Sequence, residues 1–439
     1  MGEVGDKPPS TVEVWDELPN LHRSQEPAHV EETTREDHPR NGAILLDVGA
    51  KCDVEGFQRT TRLAKDEHSV VVPQPSDDAQ DPLNWSASKK HRILITLAVA
   101  VFMADFQATS GVPCLIPQSA EWHTTPNHVN YSGNLNIIMA QASLTRYLGD
   151  FADDCHVSGI GGILGIPALY FWGRALVAFW SILISIFLQL GCARVQSFNT
   201  FYALRALVGL TSQPALTAGL AFIQDMFFFY EHARKIGVWA AIFLIAPYFS
   251  PLLGNFIVAQ TGSWRIVQWL PFAVGGANIL MMAAFLDETR YRRDIQMSEQ
   301  PDRGARLLRI LGVWQIRVHH HYFDSVRRSC MRIVEVAIKP IMVLVFIYYM
   351  AVFIWLVGIN QTSSILFATA RAEGGYGFGQ NAVGFLFFAP IAGIIAGEIF
   401  GHFFNDYIFR RSLRRHKGLF VPEYCLPTIY VGLILMFLV

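Results

Sequence analysis

Three ionisable residues stand inside long apolar stretches: Asp105 in "FMADFQATSG", Arg205 at the head of "RALVGLTSQPA" and Glu398 in "GEIFGHFF". A charge at the centre of a bilayer costs about 2.5–3.5 kcal/mol on insertion scales, so such residues pair, face a cavity or serve a pathway. A carboxylate in that setting can take up and release a proton, or hold an organic cation. Asp105 fits this chemistry, and it equally fits a packing role beside a watery vestibule. Arg205 either faces a functional cavity or ties helices together through backbone carbonyls. Glu398 either faces a cavity as a second proton site or sits at a helix end, capped by Arg410. The other reactive residue types offer less. His319, His320 and His321 are adjacent, point in different directions around a helix, and read as a solvated loop rather than a metal site. The six cysteines show no CxxC or paired spacing, which argues against zinc and a disulfide framework. With no Gly-x-x-x-x-Gly-Lys-Ser/Thr loop, no ATP site or cofactor is expected. The absence of a clustered His or Asp box on helix ends argues against a membrane enzyme.

The elements that hold these residues are membrane spans. The chain has 439 residues, 52% hydrophobic and 16% charged, against about a quarter charged in soluble domains. A span needs about 20 predominantly apolar residues. Candidates are Ile93–Leu115, Arg174–Ala193, Thr200–Phe222, Ile236–Val258, Ile266–Leu286, Pro340–Gly358 and Ala382–His402, with a further run from Leu426 to Val439. "NLNIIMA" and "SGIGGILGIPALYFW" together make one more helix, interrupted by residues 141–157, which hold Arg146, Asp150, Asp153 and Asp154. That interruption reads as an insertion in helix 2. Residues 1–92 read as a disordered cytoplasmic tail, 93–286 as a six-helix bundle, 287–339 as a cytoplasmic linker and 340–439 as a partial second bundle ending inside helix 9.

Basic residues set the orientation. Lys89, Lys90, Arg92, Arg234, Lys235, Arg290, Arg292, Arg293 and the group Arg410–Lys417 fall on alternate loops, which places the N-terminus in the cytoplasm. The glycosylation-type triplets at Asn130 and Asn360 fall on the outer side. In the linker, "ARLLRILGVWQIRVHHHYF" reads as a basic amphipathic helix on the inner leaflet. Six helices, a basic linker and more helices outline a two-bundle transporter.

Several stretches resemble the major facilitator superfamily, and more narrowly its fungal drug:proton antiporter branch. "GIPALYFWGRA" is similar to the loop after helix 2, "RALVGLTSQPA" to the helix 4 arginine motif, and "DMFFFYEHARKIGVW" to the helix 4–5 loop. "APYFSPLLGNF" is similar to the helix 5 antiporter motif, "SWRIVQW" and "DETRYRR" to the two ends of helix 6. "GEIFGHFFNDYIFRRSLRRHKG" resembles the second-half copy of the first loop. The matches keep the family's order from Asp81 to about Leu426.

The resemblance implies an all-α integral membrane protein with the major facilitator fold, a complete N-terminal bundle and a partial C-terminal one. It implies a monomeric, multi-pass plasma-membrane glycoprotein whose partners are protons, a small organic substrate and lipid, not nucleic acid. Export of a drug or secondary metabolite by alternating access is the implied function. Uptake of a cationic metabolite such as a polyamine, a chain without transport activity, and a membrane receptor or sensor are the alternatives. Arg205 is placed near the proton-coupling site, and Pro247, Pro251 and Gly254 shape the closed interface between bundles, although Ala246 replaces the usual glycine. Gly173 and Arg174 belong to the first gating loop, where Tyr170 replaces an aspartate. Asp225 and Glu231 with Arg234 and Arg265 are expected to form one latch, and Asp406 with Arg410 and Arg411 its counterpart.

Overall fold

Backbone amides in lipid must be paired within the chain, so apolar runs of spanning length fold as helices. The computed structural model describes residues 44–45, 73, 75–141, 160–293, 295–323, 325–415 and 419–420. Apart from a two-residue antiparallel pairing of Ile44–Leu45 with Leu419–Phe420, the regular structure described is helical. In the first half come α1 (Ala87–Thr109), α2 (Leu115–Glu121), α3 (Pro126–Gln141), α4 (Ile160–Phe171) and α5 (Arg174–Arg194). They are followed by α6 (Phe198–Met226), α7 (Phe229–Thr261) and α8 (Trp264–Phe285). The connecting segment holds α9 (Arg306–Leu311), α10 (Val313–Tyr322) and α11 (Val326–Ile338). The second half holds α12 (Pro340–Ala368), α13 (Gln380–Leu386) and α14 (Phe388–Arg415). Among the described residues, seven helices are long and apolar enough to cross a membrane.

The core lies between α1, α5, α6 and α8, where Leu97, Ile182, Phe222 and Met282 are buried. A second cluster at the opposite end joins Cys114, Phe201 and Trp264. The second half packs chiefly on α7, which runs alongside α13 and α14 in the opposite direction. Gly384 of α13 lies against Asn255 and Phe256 near one end of α7, and Glu398 of α14 lies against Gly237 near the other.

Several boundaries differ from the expectation. The first span begins at Ala87, not Ile93, because Ser86 caps it by accepting from the Lys89 amide at 3.4 Å. The seventh span continues ten residues beyond Gly358 to Ala368. Its polar stretch "NQTSS" is helical because Asn360, Gln361 and Ser364 turn into the protein and are buried. Asp406, Arg410 and Arg411 lie on α14, which runs unbroken to Arg415, so they are helical rather than in a loop. His319, His320 and His321 are likewise within α10, not in a loop. The proposed insertion at 141–157, from residue 142 on, lies outside the described residues, as do most of the 1–92 tail and the apolar run from Leu426.

Candidate functional site

Asp105 is four residues from the end of α1 and buried, 4% exposed. It lines a cleft with Phe243 and Pro247 of α7 and Phe353, Asn360 and Gln361 of α12. The cavity they enclose is ≈ 30 Å³, about the room one water needs. The cleft therefore lies between first-half and second-half helices, with one carboxylate, two amides and aromatic rings in its wall. The chemistry of that lining suits a proton or a cationic, partly apolar molecule.

Proline placement explains one wall. Pro251 has no amide hydrogen, so the carbonyl of Pro247, four residues earlier, loses its helical donor. The Asn360 side-chain amide of α12 donates to that carbonyl at 2.7 Å, joining the two halves at the kink. This corrects the glycosylation reading of Asn360: it is 2% exposed, mid-helix, and already occupied. Asn130 also lies within a helix, α3, rather than on a surface loop, with its amide oxygen facing Gly133 beside Gln361. Gly254, one turn beyond Pro251, sits so close to Pro113 that a Cβ there would lie 2.4 Å from its ring.

Arg205 is fully buried, and it caps the end of α1. Its guanidinium donates to the Gln107 carbonyl at 2.6 Å, to the Ala108 carbonyl, and to the Ser110 hydroxyl at 3.3 Å. The last carbonyls of a helix lack amide partners and carry partial negative charge, which a cation satisfies. Of the two readings open in the sequence, the carbonyl tie describes these contacts. Beside it lies a cluster the sequence reading missed. Gln189 of α5 donates to Gln268 of α8 at 2.5 Å, and Gln268 also accepts from Ser110. Gln107 and Gln189 are fully buried as well. The available signal was glutamine at membrane depth, where polar side chains bridge helices.

At the end carrying Lys89, Arg174 and Arg234, the ion pairs differ from the expected latches. Asp225 of α6 pairs with Arg174 at the start of α5, and Arg174 also donates to the Ala221 carbonyl at 2.9 Å. Arg234 of α7 pairs with Asp406 of α14 at 2.6 Å, so this bridge crosses from first half to second. Arg410 approaches Asp406 at 3.9 Å, whereas Arg411 donates to the Tyr407 hydroxyl at 2.9 Å. Glu231 lies in the first turn of α7, a favourable place for an acid. Arg265 belongs elsewhere. It follows α7 at the opposite end and holds Glu121 through two nitrogens at 2.6 and 2.8 Å. The stretch of α7 from Arg234 to Thr261, about 40 Å of helix, separates it from Arg234. Glu398 lies against Gly237, one turn inside Arg234, and two turns from Asp406. It is three turns from Arg410, too far to be capped by it.

The same end has a polar base built from the segment before α1 and the segment after α8. Glu288 is fully buried and accepts from the backbone amides of Arg174 and Ala175 at 3.2 and 3.0 Å, capping α5. Gly173, at φ 92°, makes room: a Cβ would lie 2.7 Å from the Glu288 carboxylate. Asp287 pairs with Lys89 and Arg309, each at 2.7 Å. Asp81 pairs with Arg293 at 2.8 Å. Burial pushes both carboxyls up, but hydrogen bonds win. Arg293 and the Leu83 and Ser76 amides hold Asp81 below the usual range, and Lys89 and Arg309 hold Asp287 below it. "RILGVWQIRV", expected on the leaflet, packs one face into this base through Arg309, Ile310, Trp314 and Gln315. Leu307, Leu308, Leu311 and Ile316 remain exposed.

Residues 155–439 match the profile of the Major Facilitator Superfamily. The chain belongs to that superfamily. The multidrug transporter FLR2 of Candida glabrata is 27% identical over 215 residues, covering 49% of this chain and 34% of that protein. The efflux pump radE of Floropilus chiversii is 22% identical over 374 residues, 84% of this chain and 64% of radE. Polyamine transporter 4 of Saccharomyces cerevisiae is 25% identical over 345 residues, 77% of this chain and 46% of that protein. The chain thus spans less than two thirds of the length of these relatives. Membership in a transporter superfamily makes this a multi-pass membrane protein and sets the enzyme classes aside.

Proposed function

We propose that the chain moves small organic molecules across the plasma membrane by alternating access, coupled to protons. The observation that supports this most is Asp105, a buried carboxylate in a cleft walled by both halves. A single group that binds either a proton or a substrate cation links the two flows, since the two compete for one charge. The Arg234–Asp406 pair bridges the two halves at the basic end, and that end and the N-terminus face the cytoplasm by the distribution of basic residues. The protein acts as a monomer. Export of drugs or secondary metabolites is the preferred direction, in keeping with the names of two relatives. Uptake of a cationic metabolite is the second reading, because a carboxylate beside Phe243 and Phe353 suits an amine with an apolar body.

The test is substrate-driven proton movement in proteoliposomes, using a panel of lipophilic amines, polyamines and neutral drugs. Asp105→Asn is expected to abolish proton movement while Asp105→Glu retains part of it. Proton-coupled flux that survives Asp105→Asn unchanged would remove the carboxylate from the mechanism. The sign of the flux separates export from uptake.

A further inference from the structure

The helix α11 (Val326–Ile338) joins the connecting segment to the second half, and its sequence "VRRSCMRIVEVAI" is sharply two-faced. Arg328, Arg332, Glu335 and Lys339 recur at spacings of three and four, forming one polar stripe. Ser329 is buried, and through this side α11 packs on α4. Five of its apolar residues have no cover among the described residues. Val326, Met331, Val334 and Val336 are each about half exposed, Ile338 is 72% exposed, and Cys330 is exposed too. A water-soluble surface rarely leaves such a patch bare.

Position identifies what covers it. Lys339 ends α11 and is also the N-cap of α12, whose apolar span follows at once. The last turn of α11 is therefore held at the height of the lipid headgroups, whatever the rest of the protein does. Three arginines and one lysine stand against a single glutamate over residues 326–339. A helix with an apolar face and basic flanks, fixed at that height, is a surface-lying membrane helix that prefers anionic lipid. The sequence reading placed this role on residues 305–323, where α9 and α10 pack one face into the polar base.

We infer that α11 is a lipid-binding element: its apolar residues enter the inner-leaflet interface, and Arg327 and Arg328 recruit anionic phospholipid headgroups. The inference uses the cytoplasmic placement of the basic end, but not the transport reading, so either can fail alone.

The full chain carries its own reporter in Cys330. Replacing Cys52, Cys155 and Cys425, and leaving the buried Cys114 and Cys192 in place, allows an environment-sensitive fluorophore to be attached there. The labelled protein is placed in nanodiscs containing spin-labelled phosphatidylserine or spin-labelled phosphatidylcholine. Both lipids are expected to quench the label, the serine lipid about fivefold more strongly, the factor one arginine contributes near an anionic surface. Arg327→Gln with Arg328→Gln should bring the two lipids level, and Arg328→Lys should restore the preference. Equal quenching by both lipids in the parent chain overturns the anionic preference. Quenching by aqueous iodide alone overturns the membrane contact. A label shielded from lipid and iodide alike means that protein covers the face, which also overturns the inference.

Discussion

Replacing Arg205 by Met tests whether the buried guanidinium is a helix cap. The side chain is fully buried and supplies donors to the Gln107 and Ala108 carbonyls at the end of α1. Gln107 keeps a second donor, since the Ser110 hydroxyl reaches the same carbonyl at 2.8 Å. The main loss is therefore at Ala108. A buried acceptor deprived of its partner costs about 1–3 kcal/mol, and a hydrogen bond to a charged group about 1.5–3 kcal/mol. Removing a desolvated guanidinium returns part of this. The net expectation is a destabilisation of about 2–4 kcal/mol for Arg205→Met and about half that for Arg205→Lys, whose single ammonium cannot span both carbonyls as a planar fork does. The assay is equilibrium unfolding in mixed micelles, titrating a denaturing detergent and following tryptophan fluorescence; Trp264 reports on the region beside Cys114. If Arg205→Met unfolds within about 0.5 kcal/mol of the parent, the cap is not what the arginine does. A variant that keeps its stability but shifts the pH dependence of transport would assign Arg205 to proton coupling instead.

Breaking the Arg234–Asp406 bridge is expected to have a small effect, because the arginine side chain is 54% exposed. Exposed pairs contribute about 0.2–1 kcal/mol, so Asp406→Asn should raise disulfide trapping of an open basic end by at most about fivefold, and exchanging the two charges should reverse it. The Asp81 and Asp287 pairs predict acid sensitivity with a definite sign. Their folded values lie below the ordinary 3.8, so the stability they add is complete above that pH and is lost as pH falls through the lower folded values. Emission from Trp85, which stacks under Lys89 at 3.5 Å, should stay constant down to about pH 5 and change below pH 3.8. Asn360→Ala should leave the mobility shift produced by glycosidase unaltered and cost about 1–3 kcal/mol, since the Pro247 carbonyl is left without a donor; a smaller shift on substitution would contradict its burial.

Much of the architecture was legible because lipid imposes simple rules. Apolar runs of spanning length marked all seven long helices, since no other local structure satisfies the backbone in a bilayer. Ends were less legible. Ser86 extended α1 outward, and the buried amides of "NQTSS" extended α12, because a polar residue in a helix is indistinguishable in sequence from one in a loop until its face is known. Asp105, Arg205 and the prolines Pro247 and Pro251 stand out in the sequence as unusual residues at membrane depth, but their partners do not.

Those partners are a matter of three-dimensional register. The sequence by itself determined the seven long spans, their order and the crowding of basic residues at one end, because each follows from local composition and the cost of charge in hydrocarbon. Only the tertiary structure decided that Asp225 meets Arg174, that Asp406 reaches Arg234 in the other half, and that Arg265, about 40 Å from Arg234 along α7, belongs with Glu121. It also decided that Asn360 fills the bond Pro251 leaves open, a donor 113 positions from its acceptor. Ion pairs and caps of this kind form between helices far apart in the chain, and nothing in local spacing encodes which faces will meet.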